Sequence, residues 1–327
     1  MKKFIDLVDD LVPDSTAGLV MAHEALLALN AEPLFVHRRE PKRDRVALVS
    51  GGGSGHEPLH TGFVGHGMLD AACPGLVFTA PTADQILAAA HCVDAGRGVL
   101  LIVKNYAGDR ASFQVAGDML DMDHLTLLVD DDVAVENSTR SIGRRGVAGT
   151  VIVEKMVGAA AEAGADLYEC KALGDRINAS TASMGVAFSS CTVPDAGAPT
   201  FDIGPNEIEV GVGIHGEPGR YRRALMPASG IVALLLEPIL QDLRLGAGRE
   251  VLLQVNGFGG TPLIELHLLN KLATEQLRAH GLQVRRWLVG NQTTALEMAG
   301  ASLTLTALDA EMLSLWDAPV ETATLRW

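Results

Sequence analysis

The sequence predicts two α/β domains, each a mostly parallel or mixed sheet covered by helices, with residues 1–182 as the first and 183–327 as the second. Three observations predict this. Strand-like and helix-like patterns alternate through the first half, as they do when helices pack on both faces of a sheet. Residues 98–103 form a continuous apolar run of the kind that is buried on both faces of a parallel sheet. The grain then changes near residues 180–184, where the boundary is placed.

At 327 residues and 48% hydrophobic, the chain can bury a substantial core. A net charge of −14 leaves no basic face for nucleic acid or an anionic membrane, and 4% aromatics leave few stacking platforms for single strands. A small-molecule ligand is expected. Cys73, Cys92, Cys170 and Cys191 are scattered without CxxC spacing, which fits buried thiols in a reducing cytoplasm. The N-terminus reaches Asp6 too soon for a signal peptide, and the most apolar later segment, residues 230–240, is broken by Glu237-Pro238 and is too short to span a bilayer.

In order, helical spacing covers 15–30, and a buried strand at 46–50 runs into a glycine loop. A turn-rich passage over 65–81 holds a short strand at 76–79, and Thr82 caps a helix reaching 95. Then follow a strand at 98–103, a helix at 111–122, a strand at 125–129, and helices at 146–163 and 167–177. The first of those two helices holds Thr150, Glu154 and Lys155 among apolar positions. Strands at 183–189, 208–212 and 250–256 alternate with helices at 225–242 and 261–280. Segments 284–289, 293–298 and 302–308 and a short helix at 311–316 close the chain.

The glycine loop is Gly51-Gly52-Gly53-Ser54-Gly55-His56-Glu57-Pro58. Without Cβ atoms, its backbone can meet a ligand while His56 projects into the same space. It lacks the Gly-Lys-[Ser/Thr] ending of a phosphate loop, so another kind of group is implied. Lys104 and Asp109 flank Gly108 at a strand end, where open α/β sheets bind ligands, and offer a donor and an acceptor to a hydroxyl-rich molecule. Gly211-Val212-Gly213-Ile214-His215-Gly216 matches a dinucleotide fingerprint, but Glu217-Pro218 stands where its helix should begin. An open turn presenting His215 is expected instead.

Asp130-Asp131-Asp132 could attract a hard cation, although a solvated strand end or a cap for the following turn also explains it. His60, His66, His91, His124, His267 and His280 share no common spacing, so metal hydrolysis is not indicated. Ser54 is not in G-x-S-x-G, which leaves a hydrolase elbow weak.

Together, the two glycine–histidine stretches and Lys104-Asn105-Tyr106 with Gly108-Asp109 resemble the dihydroxyacetone kinase family, and specifically its substrate-binding K subunit. Ala-Cys-Pro-Gly at 72–75, Gly-Arg-Arg-Gly at 143–146, Cys-Thr-Val-Pro at 191–194 and Leu-Trp-Asp-Ala-Pro-Val at 315–320 extend the resemblance over essentially the whole chain. It implies that His215 holds dihydroxyacetone as a covalent hemiaminal. Gly53, Ser54, Gly55, His56, Lys104 and Asp109 would bind the triose, and Asp109 or His56 would take the proton of the phosphorylated hydroxyl. It implies no cofactor or metal in this chain. ADP/ATP with magnesium would sit on a separate L subunit, recharged by an M subunit of the phosphoenolpyruvate-dependent phosphotransferase system. A cytoplasmic homodimer is also implied. The stretch between the helix at 225–242 and the strand at 250 is short for the family. Two alternatives stay open: a dihydroxyacetone-binding transcriptional coactivator, and a kinase subunit for a short ketose such as erythrulose.

Overall fold

The computed structural model describes residues 2–41, 44–135 and 143–327. The chain divides into two compact units. The first comprises Met1–Val129, Val151–Arg176 and Ser314–Trp327, and the second comprises Asp130–Thr150 and Ile177–Leu313. Residues 182 and 183, where the sequence suggested a boundary, are neighbours inside one strand of the second unit.

The first unit opens with α1 (Leu11–Ala22), β1 (Leu27–Ala31) and β2 (Leu34–Arg38). Helical spacing had suggested a helix from 15 to 30. The helix instead begins before Pro13, which a first turn tolerates because the N–H that proline lacks would have no helical partner there. Leu27 and Leu29 then belong to a hairpin in which β1 and β2 pair antiparallel. The unit continues with β3 (Ala47–Ser54), β4 (Gly65–His66), β5 (Ala71–Val77), α2 (Ala83–Val93), β6 (Val99–Lys104), α3 (Ala107–Met119), β7 (His124–Val129), all but the first two residues of α4 (Gly149–Glu162) and all but the last three of α5 (Leu167–Ala179). Thr82 caps α2 as expected: its hydroxyl accepts from Gln85 N and its own N–H donates to Gln85 Oε1.

The sheet order is β1-β2-β5-β3-β6-β7, and β5, β3, β6 and β7 run parallel. From central β3 the chain goes to β5 on one side and later to β6 on the other, which makes the end of β3 a topological switch point. Strand alternation sorts the side chains between the two faces. Val49, Leu101 and Val103 join the core that includes Ile86 and Ala89 of α2 and Phe113 of α3. Leu48, Ser50, Leu100, Ile102 and Lys104 therefore point to the opposite face.

The second unit contains β8 (Thr181–Ala187), β9 (Glu207–Val210), β10 (Tyr221–Ala224), α6 (Ala228–Leu243), β11 (Glu250–Gly257), α7 (Leu263–Ala279), β12 (Gln283–Gly290) and β13 (Gly300–Ala307). Its mixed sheet has the order β10-β9-β8-β13-β11-β12, and only β11 and β12 pair parallel. Met184, Leu253, Leu303 and Leu305 share one core with Val232, Leu235, Leu236 and Ile239 of α6 and Leu266 and Leu277 of α7. Edge strand β10, Tyr221-Arg222-Arg223-Ala224, is wholly exposed and carries no apolar signal in the sequence. Segment 293–298 is a turn with a single bridge, Gly259 to Met298. α8 (Ala310–Asp317) then leads to β14 (Glu321–Thr322), which pairs with β4. Both units thus have the expected α/β architecture, one mostly parallel and one mixed.

Candidate functional site

The glycines at the end of β3 are strand rather than loop. Gly51, Gly52 and Gly53 lie opposite Cys73, Pro74 and Gly75 of β5. Their lack of side chains serves packing as much as any ligand. A Cβ on Gly51 would come within 2.6 Å of Cys73 O, and one on Gly52 would collide with Lys104 Nζ. A Cβ on Gly53 would lie 2.7 Å from Thr79 N and 2.8 Å from Phe78 Cα. That close approach matters because the His56 ring is buried and stacks on Phe78, with centroids 5.1 Å apart and planes 16° apart. The loop proper begins at Gly55, whose φ of 100° suits glycine, and Glu57 closes it by accepting from Gly55 N at 2.9 Å. Ser54 Oγ donates to Gly75 O at 2.7 Å.

Lys104 ends β6 on the same sheet face as Ser50, and Gly52 leaves room for it. It is fully buried. Its Nζ lies 2.8 Å from His60 Nε2, 3.3 Å from Gly51 O and 3.3 Å from Asp109 Oδ2. Asp109 sits in the first turn of α3, where the helix dipole favours a carboxylate. Behind Lys104, His60 Nδ1 lies 2.6 Å from Glu154 Oε1 and 3.0 Å from Ser50 Oγ. Burial, with the nearby Lys104 and His56 charges, holds the His60 pKa well below its ordinary value. Burial pushes Glu154 up to about 8 against the pull of Lys104 and Ser50.

His215 belongs to the second unit, on a turn between β9 and β10 where it is half-buried. Gly211 and Gly216 have φ of 82° and 75°, the left-handed region that glycine adopts freely. Glu217 Oε2 accepts from His215 N at 2.9 Å. Arg145 braces this turn. It donates to Gly211 O at 2.8 Å, pairs with Glu217 Oε1 at 3.0 Å and with Asp132 Oδ2 at 2.6 Å. A Cβ on Gly213 would meet both the Glu217 carboxylate and Arg145 Nη1, so this glycine makes room for the brace.

The three consecutive aspartates are occupied by protein donors. Asp131 accepts from Val147 N and Gly149 N, both at 2.8 Å, and so caps the start of α4. Asp132 accepts from Ala134 N at 2.9 Å, and Asp130 Oδ1 accepts from Asn178 at 2.7 Å. Asp131 and Asp132 are buried, so capping explains them better than a solvated strand end. Among the described residues, no group of three His, Cys, Asp or Glu could hold a metal ion, and no helix is long and apolar enough to cross a membrane.

The first unit thus gathers Gly53, Ser54, Gly55 and His56 at one strand end and joins Lys104 to Asp109 beside them, while the second presents His215. Sequence reasoning missed His60, Glu154 and Arg145 as parts of these arrangements. The available signals were a charged pair inside an apolar helix and an arginine pair between two glycines.

A family model described as the Dak1 domain matches residues 17–324. A Listeria innocua protein named PTS-dependent dihydroxyacetone kinase 1, dihydroxyacetone-binding subunit DhaK, is 48% identical over 98% of this chain and 99% of its own. The Escherichia coli (strain K12) protein named PEP-dependent dihydroxyacetone kinase, dihydroxyacetone-binding subunit DhaK, is 44% identical over 100% of this chain and 99% of its own. A solved structure described as the dihydroxyacetone kinase operon co-activator Dha-DhaQ superposes with a TM-score of 0.90 at 31% identity, covering 94% of this chain and 96% of that one.

Proposed function

We propose, from the premise that the chain belongs to the Dak1 domain family of dihydroxyacetone kinases, that it is the dihydroxyacetone-binding subunit of a phosphoenolpyruvate-dependent kinase. His215 Nε2 adds to the ketone carbon, the carbonyl oxygen takes up a proton, and the ring gives one up from Nδ1, which leaves a neutral hemiaminal. Gly53, Ser54, Gly55 and His56 hold the triose, and Lys104 and Asp109 reach its hydroxyls. Asp109 or His56 accepts the proton of the terminal hydroxyl as it is phosphorylated. The phosphoryl group comes from a nucleotide-bearing L subunit with magnesium, which an M subunit recharges. The chain acts as a cytoplasmic homodimer.

Covalent capture suits so small a ligand, because even the best small ligands gain at most about 1.5 kcal/mol per heavy atom. It also holds the hydroxyl for attack. The observation that carries the proposal is the buried Lys104–Asp109 pair at the β3 switch point, in a chain that also presents a half-buried histidine on a braced turn. The co-activator likeness favours one rival, a ligand-binding regulator without turnover. A coupled assay with L and M partners and phosphoenolpyruvate separates them: triose phosphate is expected, and bound ketone without product would establish the regulator. Replacing dihydroxyacetone by erythrulose in the same assay tests the ketose preferred.

A further inference from the structure

Two buried titratable side chains, His60 and Glu154, have no part in the reaction as proposed. Their contacts form one line. Glu154 Oε1 lies 2.6 Å from His60 Nδ1, His60 Nε2 lies 2.8 Å from Lys104 Nζ, and Lys104 Nζ lies 3.3 Å from Asp109 Oδ2. The line starts on α4 and ends in the first turn of α3.

Donor and acceptor chemistry gives it a direction. An ammonium has donors and no acceptor, so His60 Nε2 must offer its lone pair, and the proton of the neutral ring must sit on Nδ1. Glu154 Oε1, 2.6 Å from Nδ1, receives that proton. Glu154 Oε2 makes no hydrogen bond among the described residues, so it can carry the carboxyl proton while Oε1 goes on accepting. The carboxyl acceptor on one side of the ring thus selects the tautomer that the lysine needs on the other.

We propose that His60, its tautomer set by Glu154, is a positioning residue that aims the Lys104 ammonium at Asp109 and Gly51 for phosphoryl transfer; this rests on the reaction proposed above. A lysine head on a flexible four-carbon stem has no preferred direction of its own, and burial makes each acceptor around it count. Loss of His60 therefore disturbs the Lys104–Asp109 pair. Capture of the ketone, which belongs to His215 in the other unit, stays intact.

Nitrogen-15 NMR of the histidine-labelled wild-type chain reads the tautomer directly, with His60→Gln identifying the resonance. A neutral ring protonated at Nδ1 is expected; protonation at Nε2, or a charged ring, overturns the proposal. Steady-state kinetics with the L and M partners form the second arm. His60→Leu should lower kcat by ~100-fold, the scale of a misplacement near 1 Å, with KM for dihydroxyacetone little changed. His60→Gln, whose amide oxygen can accept from Lys104, should recover about tenfold of that loss. Glu154→Leu and Glu154→Gln should repeat the contrast, and they carry the kinetic arm if His60→Leu does not fold. A glutamine at either site that is no better than leucine, or a loss that falls on KM, overturns the proposal. Should the wild-type system make no triose phosphate, the functional assignment fails, and the NMR arm still decides the tautomer.

Discussion

The two histidine turns share a local pattern and a closing device. Glu57 accepts from Gly55 N, and Glu217 accepts from His215 N, so in each turn a glutamate reaches back to the backbone N–H two residues before it. Their settings differ. His56 is buried against Phe78 at the end of a parallel strand, whereas His215 is half-buried on a turn held by Arg145. A buried ring is fixed by packing and acts on whatever its neighbours deliver. An accessible ring has to be fixed through its backbone, and a reagent can reach it. That division suits one histidine for holding and proton transfer and the other for covalent capture.

Exchanging the roles would break this comparison, and the largest effect is expected at His215. His215→Ala should lose the ketone adduct in native mass spectrometry and lower turnover by at least about 1,000-fold. An adduct that persists on another residue would move capture elsewhere. Asp109→Asn should keep the adduct and lower turnover by roughly 100- to 1,000-fold, as expected for loss of a general base. Full turnover would pass that role to His56.

The sequence made both histidine turns legible. The apolar run at 98–103 and the cap at Thr82 are local signals, and both appear in the fold where expected. His56 stood out because it ends a glycine run, and His215 because Gly213 and Gly216 around it offer no side chains to pack a ring. What stayed hidden depends on distant partners. Gly52 reads as a ligand contact until Lys104 is seen to occupy the space its side chain would fill. His60 looks like one scattered histidine until the fold brings Glu154, 94 positions later, to its Nδ1. The hairpin of β1 and β2 was masked because leucines spaced for a helix also serve a strand whose partner lies just beyond the next turn.

Gly52→Ala tests the buried side of the comparison. Its methyl would displace Lys104, at a cost of about 1–3 kcal/mol as for other overpacked sites. Gly246→Ala, with open space around it, should stay within about 0.5 kcal/mol in the same urea titrations. Equal effects would mean that the β3 glycines serve the ligand alone. On the accessible side, Arg145→Met removes the brace beneath His215. Losing hydrogen bonds to charged partners should weaken ketone capture by about tenfold. Capture at wild-type strength would show that the glycines alone hold the turn.

The smallest expected effect distinguishes the two units by pH. Burial raises Glu154 from 4.5 to about 8 against Lys104, and Asp132 from 3.8 to about 6 against Arg145. A carboxyl whose folded pKa is raised contributes stability that is full below its unfolded value and lost as pH rises through the folded one. The first unit should therefore lose stability between pH 4.5 and about 8, and the second between 3.8 and about 6. The slope from either group cannot exceed ~1.4 kcal/mol per pH unit. Glu154→Gln should flatten the fall in urea midpoints above pH 6, and Asp132→Asn only the fall below it. A slope above pH 6 that survives Glu154→Gln would mean that this carboxyl is already ionised there. His60 and Lys104 would then hold a charge in the first unit much as Arg145 holds one in the second, and the two sites would differ in access alone.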